Sequence, residues 1–265
     1  MLELVVLWTN VLSLSPASDT ATMRAEAWTR PSSFRKVGSV ALPPLPSGKQ
    51  IMVHQDEGVY GGTGGRIWPA ASALVSWQMQ NSKLVEGSSV LELGAGCGAC
   101  GLFAAGLGAS SVMLTDANRH CCKLMTESAT SNELSAVQVQ RLEFEQTDKI
   151  PSGQFNLILG SDITYRLVSQ AALAKMVRVL LLQPVRSKSG PSPRCIFSCE
   201  NRRQLTTMPI GDNDWSANDF STQKFIEVAA EHGLCVSPLV IEPPNDETGN
   251  SVSIFEVKLA SDLSS

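Results

Sequence analysis

The sequence has few charged and aromatic side chains, and it lacks both a basic stripe and a long apolar run. Charged residues make up 17% of the 265 residues and the formal net charge is −4, so nothing indicates a nucleic acid as partner. No apolar run reaches the roughly 18 residues that a membrane-spanning helix needs, so we expect no membrane partner. Apolar residues account for 43% of the chain, enough for the core of one monomeric α/β domain with extensions.

The sequence also lacks the paired cysteines of a disulfide framework or a zinc site. Its seven cysteines are odd in number and lie mostly in apolar stretches, which is typical of reduced thiols in an intracellular protein. Cys97 and Cys100 form a C-x-x-C, but no second pair follows at a suitable spacing, so we expect no metal. We expect a cytoplasmic protein, with the nucleus as a further location, and a basic, Ser/Thr-rich stretch near the N-terminus leaves organelle import open.

The order of the sequence patterns divides the chain into three regions. Residues 1–30 are expected to lie outside the fold as a disordered leader, residues 31–83 to form an N-terminal β extension and a first helix, and residues 84–265 to form the main domain. There, apolar strands alternate with helices, which predicts a doubly wound, mostly parallel α/β sheet with a C-terminal antiparallel hairpin. The predicted strands are residues 89–93, 111–116, 136–144, 155–162, 194–200, 234–241 and 251–259.

The first strand of the main domain runs into a glycine-rich loop within the stretch "VLELGAGCGACG" at residues 90–101. Parallel sheets bind ligands beyond the carboxyl ends of their strands, where glycines let a ligand approach bare backbone. The spacing of Gly94, Gly96 and Gly98 differs from the G-x-G-x-x-G of dinucleotide enzymes. Glu92, just before the loop, would repel a diphosphate and favour a cationic or hydroxylated ligand.

A second acid ends the next predicted strand. Asp116 lies 22 residues after Gly94, the place from which an acid accepts hydrogen bonds from ribose hydroxyls. Glu92, the glycine loop and Asp116 together fit S-adenosylmethionine, a nucleoside with an amino-acid tail and a positive sulfur but no phosphate. The alternative is a structural strand–helix turn in which the acid caps a helix.

Three stretches follow the motif order of a known family. Residues 91–116, "LELGAGCGACGLFAAGLGASSVMLTD", are similar to the first two motifs of class I, seven-β-strand methyltransferases. Residues 61–71, "GGTGGRIWPAA", and 157–165, "LILGSDITY", resemble pieces diagnostic of methyltransferase family 16, a protein-lysine methyltransferase group with an Asp-x-x-Tyr signature. The resemblance covers about residues 50–205 and implies a Rossmann-like fold, S-adenosylmethionine as cofactor and a protein substrate.

The resemblance adds cofactor contacts to those argued from the residues. Trp68 would flank the cofactor, and Ser161 would line its pocket. Phe144 stands where the group often has a tryptophan beside the adenine, so it would offer only an apolar face. From periodicity alone, Trp68 and Phe144 are equally well explained as core residues. The expected cofactor contacts are Trp68, Glu92, Gly94, Ala95, Gly96, Asp116, Phe144 and Ser161.

The Asp-x-x-Tyr signature supplies two candidate catalytic residues. Asp162 would accept a hydrogen bond from the substrate amine, and Tyr165 would form a wall of its channel. A lysine must be neutral to attack, and its unperturbed pKa is about 10.4. A carboxylate also holds the cationic amine, so its effect on deprotonation could have either sign. The residues alone leave a helix cap open, and Glu200, Arg202 and Arg203 are further candidates for substrate contact.

Three functions compete at this point. The first is an S-adenosylmethionine-dependent N-methyltransferase that modifies a lysine of an unidentified protein. The second is a methyltransferase of the same fold that acts on another protein side chain or on a small molecule. The third is a catalytically silent binding subunit, against which the intact loop and acids argue. A nucleic-acid methyltransferase is disfavoured because no Asn/Asp-Pro-Pro-Tyr motif follows the fourth strand.

Overall fold

The computed structural model describes residues 37–58, 62–151, 153–183, 192–202, 220–242 and 250–263. The expected leader of residues 1–30 and the candidate residue Arg203 lie outside these ranges. The helices and strands, in chain order, are β1 (Val37–Ala41), β2 (Met52–Asp56), α1 (Pro69–Gln80), α2 (Ser82–Val85), β3 (Ser89–Leu93), α3 (Ala99–Gly106), β4 (Ser111–Asp116), α4 (Arg119–Ser131), β5 (Val137–Arg141), β6 (Leu157–Ser161), α5 (Gln170–Leu181), β7 (Arg194–Glu200), α6 (Phe220–Glu231), β8 (Leu234–Glu242) and β9 (Val252–Leu259).

A central sheet of seven strands confirms the predicted doubly wound architecture. Its strand order is β5-β4-β3-β6-β7-β9-β8. The pairs from β5 to β7 are parallel, whereas β9 runs antiparallel to both β7 and β8, as expected for a C-terminal hairpin. Strand β3 lies between β4 and β6, so the segments that leave these three strands meet at one edge of the sheet.

Two apolar clusters cover the two faces of this sheet. On β3, Val90 belongs to the cluster that includes α1 and α3, while Leu91 and Leu93 belong to the cluster that includes α5 and α6. This alternation explains why the strands read as continuous apolar runs, because both of their faces are buried. Among the described residues, no helix has the length and apolarity to cross a bilayer.

The N-terminal hairpin of β1 and β2 confirms the expected β extension, and it is fixed to α4 by polar contacts. Met52 N donates to Asn132 Oδ1 at 2.8 Å, and Asn132 Nδ2 donates back to Met52 O at 2.7 Å. His54 N donates to Ser128 Oγ at 2.8 Å. These contacts hold the first half of β2 beside α4, the helix that follows β4.

The side chain of Glu92 is buried inside the domain, which corrects its predicted role as a cofactor contact. It is 0% exposed, and its Oε2 accepts a hydrogen bond from Gly101 N of α3 at 2.7 Å. Its carboxyl group therefore ties β3 to α3 and does not face a ligand. Burial raises the pKa of Glu92 to about 8, because the charged form loses its hydration and the bond from Gly101 only partly offsets that loss.

We expect Glu92→Gln to flatten the dependence of stability on pH. The folded-state pKa of Glu92, about 8, lies above its ordinary value of 4.5, so its contribution to stability is present below the lower value and is lost as the pH rises through this window. The loss is on the order of a few kcal/mol, and the uncharged glutamine avoids it. Urea unfolding at about pH 5 and about pH 8 measures it.

Glu86→Gln provides the matched control, because Glu86 is exposed and precedes β3. This variant should keep the wild-type fall in stability between the two pH values. If stability falls between the two pH values by the same amount in the wild type and in Glu92→Gln, another buried acid causes the fall.

Candidate active site

A cavity of about 510 Å³ lies at the carboxyl ends of β3, β4 and β6. Its volume is within the range of small-molecule sites, and its position is the one at which open α/β sheets bind ligands. Nine of the ten predicted site residues line it, and Glu92 does not. They are Trp68, Gly94, Ala95, Gly96, Asp116, Phe144, Ser161, Asp162 and Tyr165.

The loop after β3 has glycine where no other residue fits. Gly94 and Gly96 have φ values of +59° and +57°. A Cβ atom on Gly96 would lie 2.7 Å from the carbonyl oxygen of Gly64, and one on Gly94 would lie 2.7 Å from Cγ2 of Ile163. The loop therefore presents bare backbone to the cavity, and it supplies no basic side chain for a phosphate.

Asp116 holds this loop in place while keeping capacity for a ligand. Its Oδ2 accepts a hydrogen bond from Gly96 N at 2.8 Å, and its Oδ1 accepts one from Asn118 N at 2.8 Å. Each carboxylate oxygen can accept a second hydrogen bond, so two acceptor positions remain for hydroxyl groups. Burial raises the pKa of Asp116, and the two backbone donors oppose that change.

The part of the cavity near β5 is apolar enough for a planar ring. Strand β5 ends at Arg141: Leu142 N donates the last ladder hydrogen bond, to Asp116 O at 3.0 Å, and the chain then leaves the sheet. This exit is why the strand predicted at residues 136–144 is shorter, and it brings Phe144 beside the glycine loop. The bare loop, Asp116 and Phe144 together fit an uncharged nucleoside with two neighbouring hydroxyls.

Asp162 lies beside that nucleoside-sized space in an unusual backbone conformation. Its φ is +53°, which only a few non-glycine residues adopt, and its N donates to Ser198 O of β7 at 2.8 Å. Its side chain is 7% exposed and forms an ion pair with Arg202, whose guanidinium also lies 3.2 Å from Glu200 Oε2. Burial raises the pKa of Asp162, whereas the charge and hydrogen bond of Arg202 act to lower it.

Two aromatic residues form the remaining wall of the cavity and are linked to each other through Thr63. Trp68 Nε1 donates to Thr63 O at 2.7 Å, and Thr63 Oγ1 lies 3.1 Å from the hydroxyl of Tyr165. The guanidinium carbon of Arg66 is 3.5 Å from the centroid of the Trp68 ring, and that of Arg202 is 5.1 Å from it. The glycine-rich segment and the Asp-x-x-Tyr segment therefore meet at the cavity.

The sequence argument missed Thr63, Arg66 and the ion pair of Asp162. Thr63 and Arg66 belong to a quoted motif, but loop residues carry no periodicity that would indicate where their side chains point. Arg202 was a candidate for substrate contact, yet an ion pair between residues 40 positions apart leaves no local signal. This ion pair could be recognised only once β6 and β7 were known to be neighbours.

A second depression, of about 740 Å³, lies between α4 and β5. Glu133 is the one titratable residue in its lining, and neither a glycine loop nor an aromatic side chain contributes to it. It therefore offers no group of residues for chemistry, and the smaller cavity is the candidate active site.

Comparison with solved structures supports the fold. An S-adenosylmethionine-dependent methyltransferase from Aquifex aeolicus superposes with a TM-score of 0.50 at 14% identity, covering 72% of this chain and 94% of that chain. The cyclase SpnF superposes with a TM-score of 0.53 at 13% identity, covering 75% of this chain and 85% of that one. At such low identity the likeness shows the fold alone.

Curated relatives are similar over part of their length. Protein N-lysine methyltransferase METTL21A of Danio rerio is 38% identical over 104 residues, covering 37% of this chain and 47% of the relative. Histone-arginine methyltransferase METTL23 of Mus musculus is 29% identical, covering 46% and 50%. The electron transfer flavoprotein beta subunit lysine methyltransferase of Mus musculus is 33% identical, covering 37% of each. The chain thus spans half or less of the length of these relatives.

A family model described as lysine methyltransferase matches residues 46–208. The matched range contains the glycine-rich segment, the loop after β3, Asp116 and the Asp-x-x-Tyr segment. Because this match spans more than half of the sequence, the chain belongs to the lysine methyltransferase family, a class I group whose cofactor is S-adenosylmethionine.

Proposed function

We propose that this chain is an S-adenosylmethionine-dependent N-methyltransferase that modifies a lysine side chain of a protein. The observation that carries the proposal is the position of Asp162. Its buried carboxylate lies in the same cavity as the glycine loop and Asp116, one strand away from the loop in the sheet. An acceptor for an amine therefore adjoins the space that fits the nucleoside of the cofactor.

The names of the relatives support methylation of a protein side chain and leave the acceptor residue to experiment. METTL21A and the electron transfer flavoprotein enzyme are named as lysine methyltransferases, and METTL23 is named as a histone-arginine methyltransferase. We favour lysine because the family model carries that description. Arginine is the second candidate, and an assay that identifies the labelled residue distinguishes the two.

The residues of the chain would divide the work of binding between them. Asp116 would accept hydrogen bonds from the ribose hydroxyls, Phe144 would lie against the adenine, and Gly94 and Gly96 would leave room for the amino-acid tail. Trp68 would flank the cofactor. When bound, S-adenosylmethionine supplies a methyl group on a positively charged sulfur, so the leaving group is already activated. The protein then contributes chiefly proximity and alignment.

Asp162 would orient the amine for attack. Its carboxylate is a hydrogen-bond acceptor on a buried, anchored loop, since the Thr164 carbonyl accepts from Gln170 Nε2 at 2.7 Å. Tyr165 and Ser161 would border the path by which the amine reaches the methyl group. A water-poor path favours the neutral amine, because desolvation lowers the pKa of a lysine.

The surface next to the cavity suits a protein segment as substrate. Leu167 and Val168 follow Tyr165 and are 47% and 87% exposed, and Val168 lines the cavity mouth. Apolar side chains exposed beside a cavity can bury area against a partner. We propose that a lysine-containing segment of the protein substrate packs against Leu167 and Val168.

We expect Asp162→Asn to lower methyl transfer by about 100-fold or more, because an amide aligns the amine poorly. Asparagine is the chosen replacement because it tolerates the positive φ of this position. The measurement uses methyl-tritiated cofactor, purified protein and a cell lysate. Labelled bands on a gel are counted, and digestion of a labelled band identifies the methylated residue.

Asp148→Asn serves as the control, because Asp148 is exposed and does not line the cavity. It should label the same band as the wild type. Label on arginine would replace the lysine assignment with the second candidate. Absence of any labelled protein with the wild type would overturn the proposal in favour of a small-molecule enzyme or a silent subunit.

Gly96→Ala should weaken binding of S-adenosylhomocysteine by at least about tenfold, because its Cβ would clash with the Gly64 backbone and displace the loop. Gly87→Ala is the matched control. Gly87 also has a positive φ, +73°, but a Cβ there would have no atom within 4 Å. Both variants bear the backbone strain, and only the first should lose affinity by titration calorimetry. Equal losses would show that general destabilisation, not the cavity, is responsible.

A further inference from the structure

Two buried carboxylates share one guanidinium at the end of the cavity. Asp162 and Glu200 are 7% and 3% exposed, and Arg202 contacts both of them. The position of Glu200 is fixed by Asn250, whose Nδ2 donates to Oε1 at 3.1 Å. Because Asp162 is the residue that would hold the substrate amine, the charge of this group determines what the amine experiences.

The charges in this cluster suit the neutral form of an amine only when Arg202 is included. Two carboxylates and one guanidinium leave a net charge of −1, and without the guanidinium it would be −2. Two unpaired carboxylates would stabilise the ammonium form of a lysine and raise its pKa, which opposes the attack. A guanidinium at the same carboxylates weakens that effect while leaving oxygen lone pairs of Asp162 free to accept a hydrogen bond.

We propose that Arg202 is a positioning residue that sets the charge around the acceptor amine, so that Asp162 orients the amine without holding it as an ammonium ion. This proposal rests on the proposed function. In the transfer, the neutral amine nitrogen forms a bond to the methyl carbon and the carbon–sulfur bond breaks toward sulfur. The methylated nitrogen then loses a proton to solvent.

The aromatic wall keeps Arg202 in the place that this role requires. Its guanidinium carbon is 5.1 Å from the centroid of the Trp68 ring and 6.0 Å from that of the Tyr165 ring. Both distances are within the range at which a cation is attracted to a ring face. Arg202 is therefore held by two carboxylates and two rings that border the cavity, although its side chain is 32% exposed.

Other charged and titratable groups contact this cluster or line the same cavity. Within the described residues they are Cys199 from β7, Tyr165 from the segment after β6, Arg66 from the glycine-rich segment, and Cys97, Asp116, Cys121, Glu143, Glu145 and Arg166 along the cavity. Arg202 is the one basic group among them that is paired with Asp162. Its replacement therefore changes the field at Asp162 more directly than any of the others would.

The first test follows methyl transfer to the labelled lysate protein from about pH 7 to about pH 10. Removing a cation beside the amine raises its pKa, so Arg202→Gln should move the acid limb of the pH profile upward by about one unit. Glutamine retains hydrogen-bond donors for Asp162. Arg202→Lys keeps the charge and should retain the wild-type limb. Tyr165→Phe, run in parallel, isolates any contribution of that hydroxyl.

The second test needs no protein substrate. S-adenosylmethionine carries a positive sulfur and S-adenosylhomocysteine does not, so their ratio of dissociation constants reports the field at the transfer position. With Arg202→Gln the preference for the charged cofactor should rise by at least about threefold, because a nearby positive charge is gone. Arg202→Lys should keep the wild-type ratio. Arg178→Gln, an exposed change on α5, should leave both measurements unaltered.

The outcomes separate this proposal from the proposed function. If the wild type labels a protein, but Arg202→Gln changes neither the acid limb of the pH profile nor the ratio of cofactor dissociation constants, the charge role of Arg202 is overturned. The proposed function then stands. If Arg202→Gln and Arg202→Lys lose methyl transfer equally at every pH, the role of Arg202 is purely structural and its charge role is overturned. Faster labelling by Arg202→Gln at every pH would mean that Arg202 merely occupies the place of the amine. No labelling by the wild type overturns the proposed function, and the ratio of cofactor affinities then still decides whether Arg202 sets the charge.

Discussion

The close approach of two backbone segments, at Gly64 and Gly96, is the constraint on which the candidate site depends. The Gly64 oxygen lies 2.7 Å from where a Cβ of Gly96 would be, and a Cβ on Gly64 would lie 3.3 Å from the Gly96 Cα and 2.8 Å from the thiol of Cys121. Side chains at either position would push the segments apart. With both absent, the segment that carries Thr63 and Trp68 can border the loop after β3, and Asp116 can reach Gly96 N.

Three acids near this loop, Glu92 and Asp162 buried and Asp116 half-buried, differ in how their charge is compensated. Glu92 has backbone partners in α3 but no cation, and burial raises its pKa to about 8, so it acts as a largely neutral structural link at neutral pH. Asp116 is compensated by two backbone donors and keeps acceptor positions for hydroxyls. Asp162 is paired with Arg202, which would suit it to accept a hydrogen bond from a neutral amine. Carboxyl groups near strand ends thus differ in their partners and in how their charge is compensated.

Sequence patterns predicted most of the fold and less of the site. Strands β3, β4 and β7 begin and end where the apolar patterns placed them, because strands buried on both faces leave a continuous signal. The motifs indicated nine of the cavity residues. They failed for Glu92, because the sequence pattern of an acid near a strand end is the same whether its side chain faces the cavity or is buried against α3. They could not reveal that Arg202 pairs with Asp162, since that contact depends on β6 and β7 being neighbours and on the path of the chain after β7.

The fold leaves the reaction open, because a cyclase and a methyltransferase both superpose on this chain with similar scores. The choice must come from groups at the carboxyl edge of the sheet. A lysine amine, with an unperturbed pKa of about 10.4, can be made neutral by moderate desolvation and a compensated acceptor, whereas an arginine has a pKa of about 12.5 or higher and gives up its proton far less readily. If Arg202 neutralises part of the charge of Asp162 and Glu200, the remaining negative charge stabilises the protonated form of a substrate side chain only weakly. Such a site suits a side chain that can become neutral. Under the proposed function, the ion pair between Asp162 and Arg202 would therefore favour a lysine substrate over an arginine one.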